Sequence, residues 1–183
     1  MKKKLFIGFL TFVMIFLVVI IALYINFLNS WRYTRYQIVL SSKYQNAEAI
    51  KYFDCEKISD NQVQRNIWQS KNLDNALDIP HDDNADIFAY EIYKSNKEIF
   101  VKNIELTVKH LLENAPKNLQ KTSDLKLFWL IYNDKAINPN FSFNYKRISP
   151  QKVEVIDINN NKNEDYTSVY EKINKKWIIT DVY

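Results

Sequence analysis

Leu5 to Leu28, LFIGFLTFVMIFLVVIIALYINFL, contains no charged residue. As a helix rising 1.5 Å per residue the run is about 36 Å long, enough to cross a hydrocarbon core of about 30 Å with some tilt. The rival reading is a cleaved secretory signal, which has an apolar stretch of about 7–15 residues followed by an A-x-A-like site. The run is too long for that, and Ala22-Leu23-Tyr24 and Leu28-Asn29-Ser30 are poor cleavage sites. The expectation is an uncleaved single-span anchor, with a tail over residues 1–4 and a domain over residues 29–183. Lys2, Lys3 and Lys4 precede the span while Arg32, Arg35 and Lys43 follow it, so the positive-inside count is nearly balanced. The three lysines and the α-amino group crowd the membrane most closely, which biases the tail toward the cytoplasm and the domain toward the outside. Trp31, Tyr33 and Tyr36 then suit the far headgroup region, where amphipathic rings prefer to sit; the alternative is that they pack on the domain.

Without the anchor the apparent basicity disappears. The 25 Lys and Arg, less the three N-terminal lysines, nearly match the 21 Asp and Glu, all of which lie beyond Leu28. A nucleic-acid binder needs a dense basic patch to neutralise phosphates, and none is visible; Lys175-Lys176 reads as solvated charge in a turn. The single cysteine, Cys55, excludes an intrachain disulfide and has flanking carboxylates that would raise its pKa. It reads as a buried or idle thiol. Abundant Lys, Asn and Ile with little Ala or Gly fits an AT-rich bacterial genome, and the expected location is the bacterial inner membrane.

Elements follow from periodicity. Trp31 to about Phe53 reads as a helix, with Tyr36, Val39, Leu40 and Tyr44 on one side. A second helix is expected over Asp60–Leu73 with Asp60 as N-cap. DIPHDDNAD, residues 78–86, reads as a loop, and residues 87–112 as mainly helical, although NIELTVK also alternates like a strand. The period then changes to two. LKLFWLIY (125–132), FSFNYKR (141–147), KVEVIDI (152–158), YTSVYEKI (166–173) and KWIITDVY (176–183) are predicted strands, separated by turns that include Asn159 to Asn163. Helices followed by an antiparallel meander make an α+β domain. A two-residue turn at Asn174-Lys175 would set Lys172 against Trp177, Tyr170 against Ile179, Ser168 against Asp181 and Tyr166 against Tyr183. Apolar residues on both faces predict a central, covered strand on which Tyr183 packs.

Glycine limits the chemistry. Gly8 is the one glycine in the sequence, and it lies in the apolar run. Dinucleotide loops, Walker-type loops and the G-x-S-x-G elbow all need glycine, so none is present in standard form. His81 and His110 are far apart, with no H-E-x-x-H or C-x-x-C pair. His81-Asp82-Asp83 with Asp86 could hold a hard cation but lacks EF-hand spacing, and reads as a solvated acidic loop. No metal and no cofactor is expected. Asp181, a lone carboxylate among Trp177, Ile179 and Tyr183, is a general-base candidate if desolvated, with Tyr170 beside it. The competing assignment, an Asp at a strand end bonded to Ser168 or solvent, carries more weight, so no enzyme is expected.

Tyr170, Asn174, Lys176, Trp177, Ile179, Asp181 and Val182 make YTSVYEKINKKWIITDVY resemble the closing hairpin of nuclear transport factor 2-like (cystatin-like) domains. Members often carry Asn-Gly at this turn, where this chain has Asn174-Lys175. The resemblance covers residues 166–183 and implies helices packed on a curved sheet, a cone that holds a small ligand or presents a protein-binding surface. Asn138-Pro139-Asn140-Phe141 is faintly similar to a motif of the bitopic assembly-factor subunit of type IV secretion systems, without its glycine. The expected function is an envelope assembly factor or immunity-type protein that docks another envelope protein or itself. Tyr166, Tyr170, Trp177, Asp181 and Tyr183 are its candidate surface, although for Trp177 the core is the better fit. The alternative is a ligand-binding or general-base domain using Asp181.

Overall fold

The computed structural model describes residues 2–78, 80–162 and 164–183, with side chains from Gly8 onward. Ile79 of the expected 78–86 loop, Asn163 of the expected Asn-rich turn and the side chains of the N-terminal lysines lie outside the described residues. The chain is α+β. Helices α1 (Lys2–Leu28), α2 (Trp31–Lys43), α3 (Cys55–Ala76), α4 (Asp83–Ser95), α5 (Lys97–Glu113), α6 (Lys117–Lys121) and α7 (Asp124–Tyr132) precede strands β1 (Phe141–Ser149), β2 (Lys152–Asn159), β3 (Glu164–Ile173) and β4 (Lys176–Val182). The strands form an antiparallel meander in the order β1-β2-β3-β4. Within α1, Gly8–Leu28 has a mean hydropathy of 2.9 and is long and apolar enough to cross a membrane; it is exposed along most of its length, and Phe27 near its end is buried against the domain.

The core lies where α2 meets the sheet. Register pairs Val153 with Tyr170 and Tyr170 with Ile179, so these residues share one face. Trp31 packs on that face with its ring 6.2 Å from Phe143 and 5.8 Å from Tyr170. Ile58, Val155 and Trp177 complete the buried cluster. Trp31 is therefore a core residue and not the interfacial anchor expected from its position. An indole beside two phenols and a Phe gains more from burial and ring contacts than from a headgroup layer. Tyr33 and Tyr36 are half-buried around Phe27, at ring distances of 6.0 and 6.2 Å. Trp177 ties the α1–α2 junction to the sheet: its indole N–H donates to Asn29 O at 2.9 Å, and its carbonyl accepts from the Thr34 hydroxyl at 2.9 Å.

Several boundaries differ from those expected. The helix from Trp31 stops at Lys43, because Gln45 takes a φ of 52°, and a short 3-10 turn covers Glu48–Tyr52. Asp54, not Asp60, caps α3 by accepting from the Lys57 amide at 3.0 Å; Asp60 instead binds Tyr93 and Lys97. The 78–86 loop is shorter than expected, since Asp82 caps α4 by accepting from Asn84 N at 3.0 Å. Residues 87–112 are helical but broken at Asn96. LKLFWLIY is the helix α7, not a strand. Nearly every position in it is apolar, so it satisfies a period of two and of 3.6 alike, and the Ser123 cap with buried Leu127 and Ile131 four residues apart decides for helix.

The closing hairpin follows the expected register at its turn and departs from it at its end. Asn174 and Lys175 both have positive φ, 49° and 67°, and Lys172–Trp177 and Tyr170–Ile179 pair as expected. A bulge at Thr180 then shifts the register, so Ser168 pairs with Val182 and Val169 with Asp181. Tyr183 exchanges backbone bonds with Thr167 rather than facing Tyr166. β4 is an edge strand, not a central one. Its free edge is blunted by the Asp54 amide on Ile179 O at 2.8 Å, Asn61 on Thr180 O at 3.0 Å and Arg65 on Val182 O at 3.1 Å. Tyr183 is half exposed under the Arg65 guanidinium, 4.5 Å from its ring centre, so it ends the strand without entering the core.

Candidate functional site

Beyond the Trp31 cluster, the space between α2 and the sheet stays open. A cavity of about 530 Å³ lies there, floored by Asp157, Ser168 and Tyr170 and walled by Ile38 and Val39 of α2. Leu111 near the end of α5, Ile137, and the strand residues Phe141, Tyr166 and Val182 surround its mouth. Helical spacing places Arg35, Ile38 and Val39 on one side of α2, and strand alternation brings 141, 157, 166 and 168 to the same face of the sheet.

The polar groups on the floor are few. Arg35, buried, donates from Nη2 to Asp157 Oδ1 at 2.8 Å and lies over the Phe143 ring at 4.4 Å. That pair neutralises itself, so the cavity offers no net charge to a ligand. Tyr170 is buried, and its hydroxyl makes no hydrogen bond among the described residues. Burial pushes its pKa up to about 12, with Arg35 opposing and Asp157 reinforcing the shift. At neutral pH it stays a phenol able to donate one hydrogen bond to a neutral acceptor. The rim is apolar and wet: Leu111 is 65% exposed, Tyr166 50% and Val182 41%.

No family model, curated protein or solved structure matches this chain. The site is therefore read from its own geometry.

Of the five residues expected to form a surface, Tyr166 and Tyr170 line the cavity. Trp177 belongs to the core. Asp181 and Tyr183 lie elsewhere, gathered by Arg65, which pairs with the Asp181 carboxylate and stacks on Tyr183. Asp181 also accepts from the Val182 amide at 2.9 Å, so a base at this position would have to break an ion pair before it could act. Arg35, Asp157, Ser168 and Leu111 were not among the residues expected to form a site. Arg35 and Asp157 stand 122 positions apart, and no local spacing announces such a pair.

His81, Asp83 and Asp86 bring one ligand atom each within 4.8 Å of one another. The imidazole is already held on both sides, Nδ1 at 2.7 Å from Asp74 and Nε2 at 2.6 Å from Asp86. This geometry is an ion-pair clamp between α3 and α4, and hydrogen bonds to Asp86 and then Asp74 raise the His81 pKa. Cys55 is buried, and burial, with Glu105 and Asp54 nearby, pushes its thiol up to about 11. A thiol in that state is a poor nucleophile.

Proposed function

We propose that this is a single-pass inner-membrane protein of a bacterial envelope whose extracytoplasmic domain docks another envelope protein, without catalysis, at the mouth of the cavity between α2 and the sheet. The observation that carries the reading is the exposed apolar rim of Leu111, Tyr166 and Val182 around an uncharged cavity. A small ligand would fill the cavity and leave that rim wet. A protein segment that inserts an apolar side chain covers rim and cavity together, as interface anchors do. Tyr170 would supply one hydrogen bond to such a segment. The likeness of residues 166–183 to nuclear transport factor 2-like hairpins agrees with a cone used for recognition, as do roles of the assembly-factor or immunity type. The apolar helix Gly8–Leu28, exposed along most of its length, supports the anchor, and the Lys2–Lys4 tail supports its orientation.

The test is site-specific photocrosslinking in intact membranes with the crosslinker at Leu111 or Tyr166, and at exposed Asn160 as control. A discrete adduct from both rim positions, absent from the control and lost when Val39→Phe fills the cavity, is the expected result. Adducts independent of Val39→Phe, or no adduct at all, overturn the docking site. A small molecule that copurifies with the native protein and is lost in Val39→Phe would transfer the cavity to the ligand-binding reading. Digestion of the domain by protease added to spheroplasts tests the orientation; protection places the domain in the cytoplasm.

A further inference from the structure

A second opening lies at the end of α1. A cleft of about 430 Å³ is lined by Leu28, Ser30, Tyr33, Lys51, Lys175 and Lys176, among others, and no acidic residue borders it. Leu28 is the last residue of the apolar helix, so the cleft sits where the span would leave the hydrocarbon. The three lysines are exposed, and none forms an ion pair among the described residues. Each sits close to an aromatic or backbone feature that fixes its place. Lys51 lies over the Tyr52 ring at 5.5 Å, while Lys175 is the second residue of the tight turn and Lys176 follows it, next to Trp177, which is bonded to Asn29.

The aromatic residues point to the same level. Burial raises the Tyr33 pKa, with Tyr52 and then Tyr24 adding to it and Lys51 opposing. Tyr24 lies one helical turn before Leu28, the span residue that lines the cleft. Phenols and ammonium groups interleaved at one depth suit the headgroup layer, where rings sit at the polar boundary and cations meet phosphate.

We propose that this cleft binds the phosphate-bearing headgroup of an anionic phospholipid in the leaflet at Leu28. The inference rests on the reading of α1 as a membrane span. The three lysines supply charge to the phosphate, Tyr33 and Tyr52 supply hydroxyls, and Leu28 continues into the acyl region. A free phosphate would use the same cations, but the position beside Leu28 favours a ligand that enters from the bilayer. The lysines are far from the span in sequence, so they fall outside the short flanks that govern orientation.

The test is native mass spectrometry of the full-length protein released from mixed micelles of phosphatidylglycerol and phosphatidylcholine. The wild-type chain is expected to retain phosphatidylglycerol in preference, and Lys51→Gln/Lys175→Gln/Lys176→Gln to lose at least about tenfold of that retention. Near-UV circular dichroism shows whether the triple variant keeps its aromatic core. Equal retention of the two lipids, or unchanged retention by a folded triple variant, overturns the site. Displacement of the lipid by inorganic phosphate alone assigns the cleft to a free anion and also overturns it. Phe16→Trp in vesicles of brominated phosphatidylcholine separates the two levels. Quenching of that tryptophan without lipid preference sinks the cleft alone, whereas no quenching removes the span and the cleft together.

Discussion

Arg35 and Asp157 join α2 to β2 through a 2.8 Å bond, and the guanidinium lies over Phe143 on the adjacent strand. One side chain thus fixes the helix on the sheet and closes the floor of the cavity. Arg35→Met keeps most of the aliphatic stem but leaves Asp157, 30% exposed on its side chain, without its cation. The expected loss is about 1–2 kcal/mol, because a partly wet carboxylate recovers some solvation. Adding Asp157→Asn should restore part of that loss, since the uncompensated charge is gone. Denaturant midpoints of the three proteins in detergent check both statements, and equal midpoints for wild type and Arg35→Met would show that the pair contributes nothing.

The turn at Asn174-Lys175 carries a local cost. Lys175 has a φ of 67°, a left-handed conformation that a side chain with Cβ adopts unfavourably and glycine adopts freely. Lys175→Gly should stabilise the domain by about 0.5–1 kcal/mol, the gain at the turn exceeding the added freedom of the unfolded chain. The shift of the denaturation midpoint measures it. A destabilised variant would place Lys175 outside the left-handed region.

This turn also shows what a sequence can disclose. Asn174 with flanking alternation is a local signal, and local geometry obeys it: Lys172 meets Trp177 and Tyr170 meets Ile179. The bulge at Thr180 is different, for it arises where Asn61 and Arg65 of α3 seize the edge of β4, a contact more than a hundred positions away in the chain. It moves Asp181 opposite Val169 and carries it to Arg65, away from the cavity. LKLFWLIY failed for another reason, because an almost wholly apolar segment has no period to read. Two of the five residues expected to form a surface, Tyr166 and Tyr170, were legible as aromatics on one sheet face. Arg35 and Leu111 were not, since only the packing of the helices brings them to the cavity, and Asp157, though on that face by alternation, gains its role only when Arg35 of α2 meets it.

Thr180 holds the bulge at a price in hydrogen bonding. It is wholly buried, and its Oγ1 has no partner among the described residues. Thr180→Val replaces that hydroxyl by a methyl of similar shape and removes the desolvation cost. The variant should be more stable by about 1 kcal/mol. Thermal unfolding compared with Thr180→Ser is the check, because serine keeps the unpaired hydroxyl and loses the methyl. Serine should fall below wild type, and a valine variant below wild type would mean that the hydroxyl is satisfied.

His81 makes the α3–α4 connection sensitive to pH. Both ring nitrogens face carboxylates, Asp74 on α3 and Asp86 on α4, and only the imidazolium can donate to both. Asp83 stands 3.9 Å from Nε2 and is shared with Lys71. These bonds raise the folded pKa above the ordinary value near 6.5. The clamp is therefore complete below about pH 6.5 and is lost as pH rises through the higher folded value. Amide exchange across residues 74–86, corrected for its intrinsic pH dependence, should accelerate through that upper window in the wild type. His81→Gln should exchange fast at every pH. If the His81 ring, followed by NMR, titrates below 6.5, the clamp is not ionic and the window disappears.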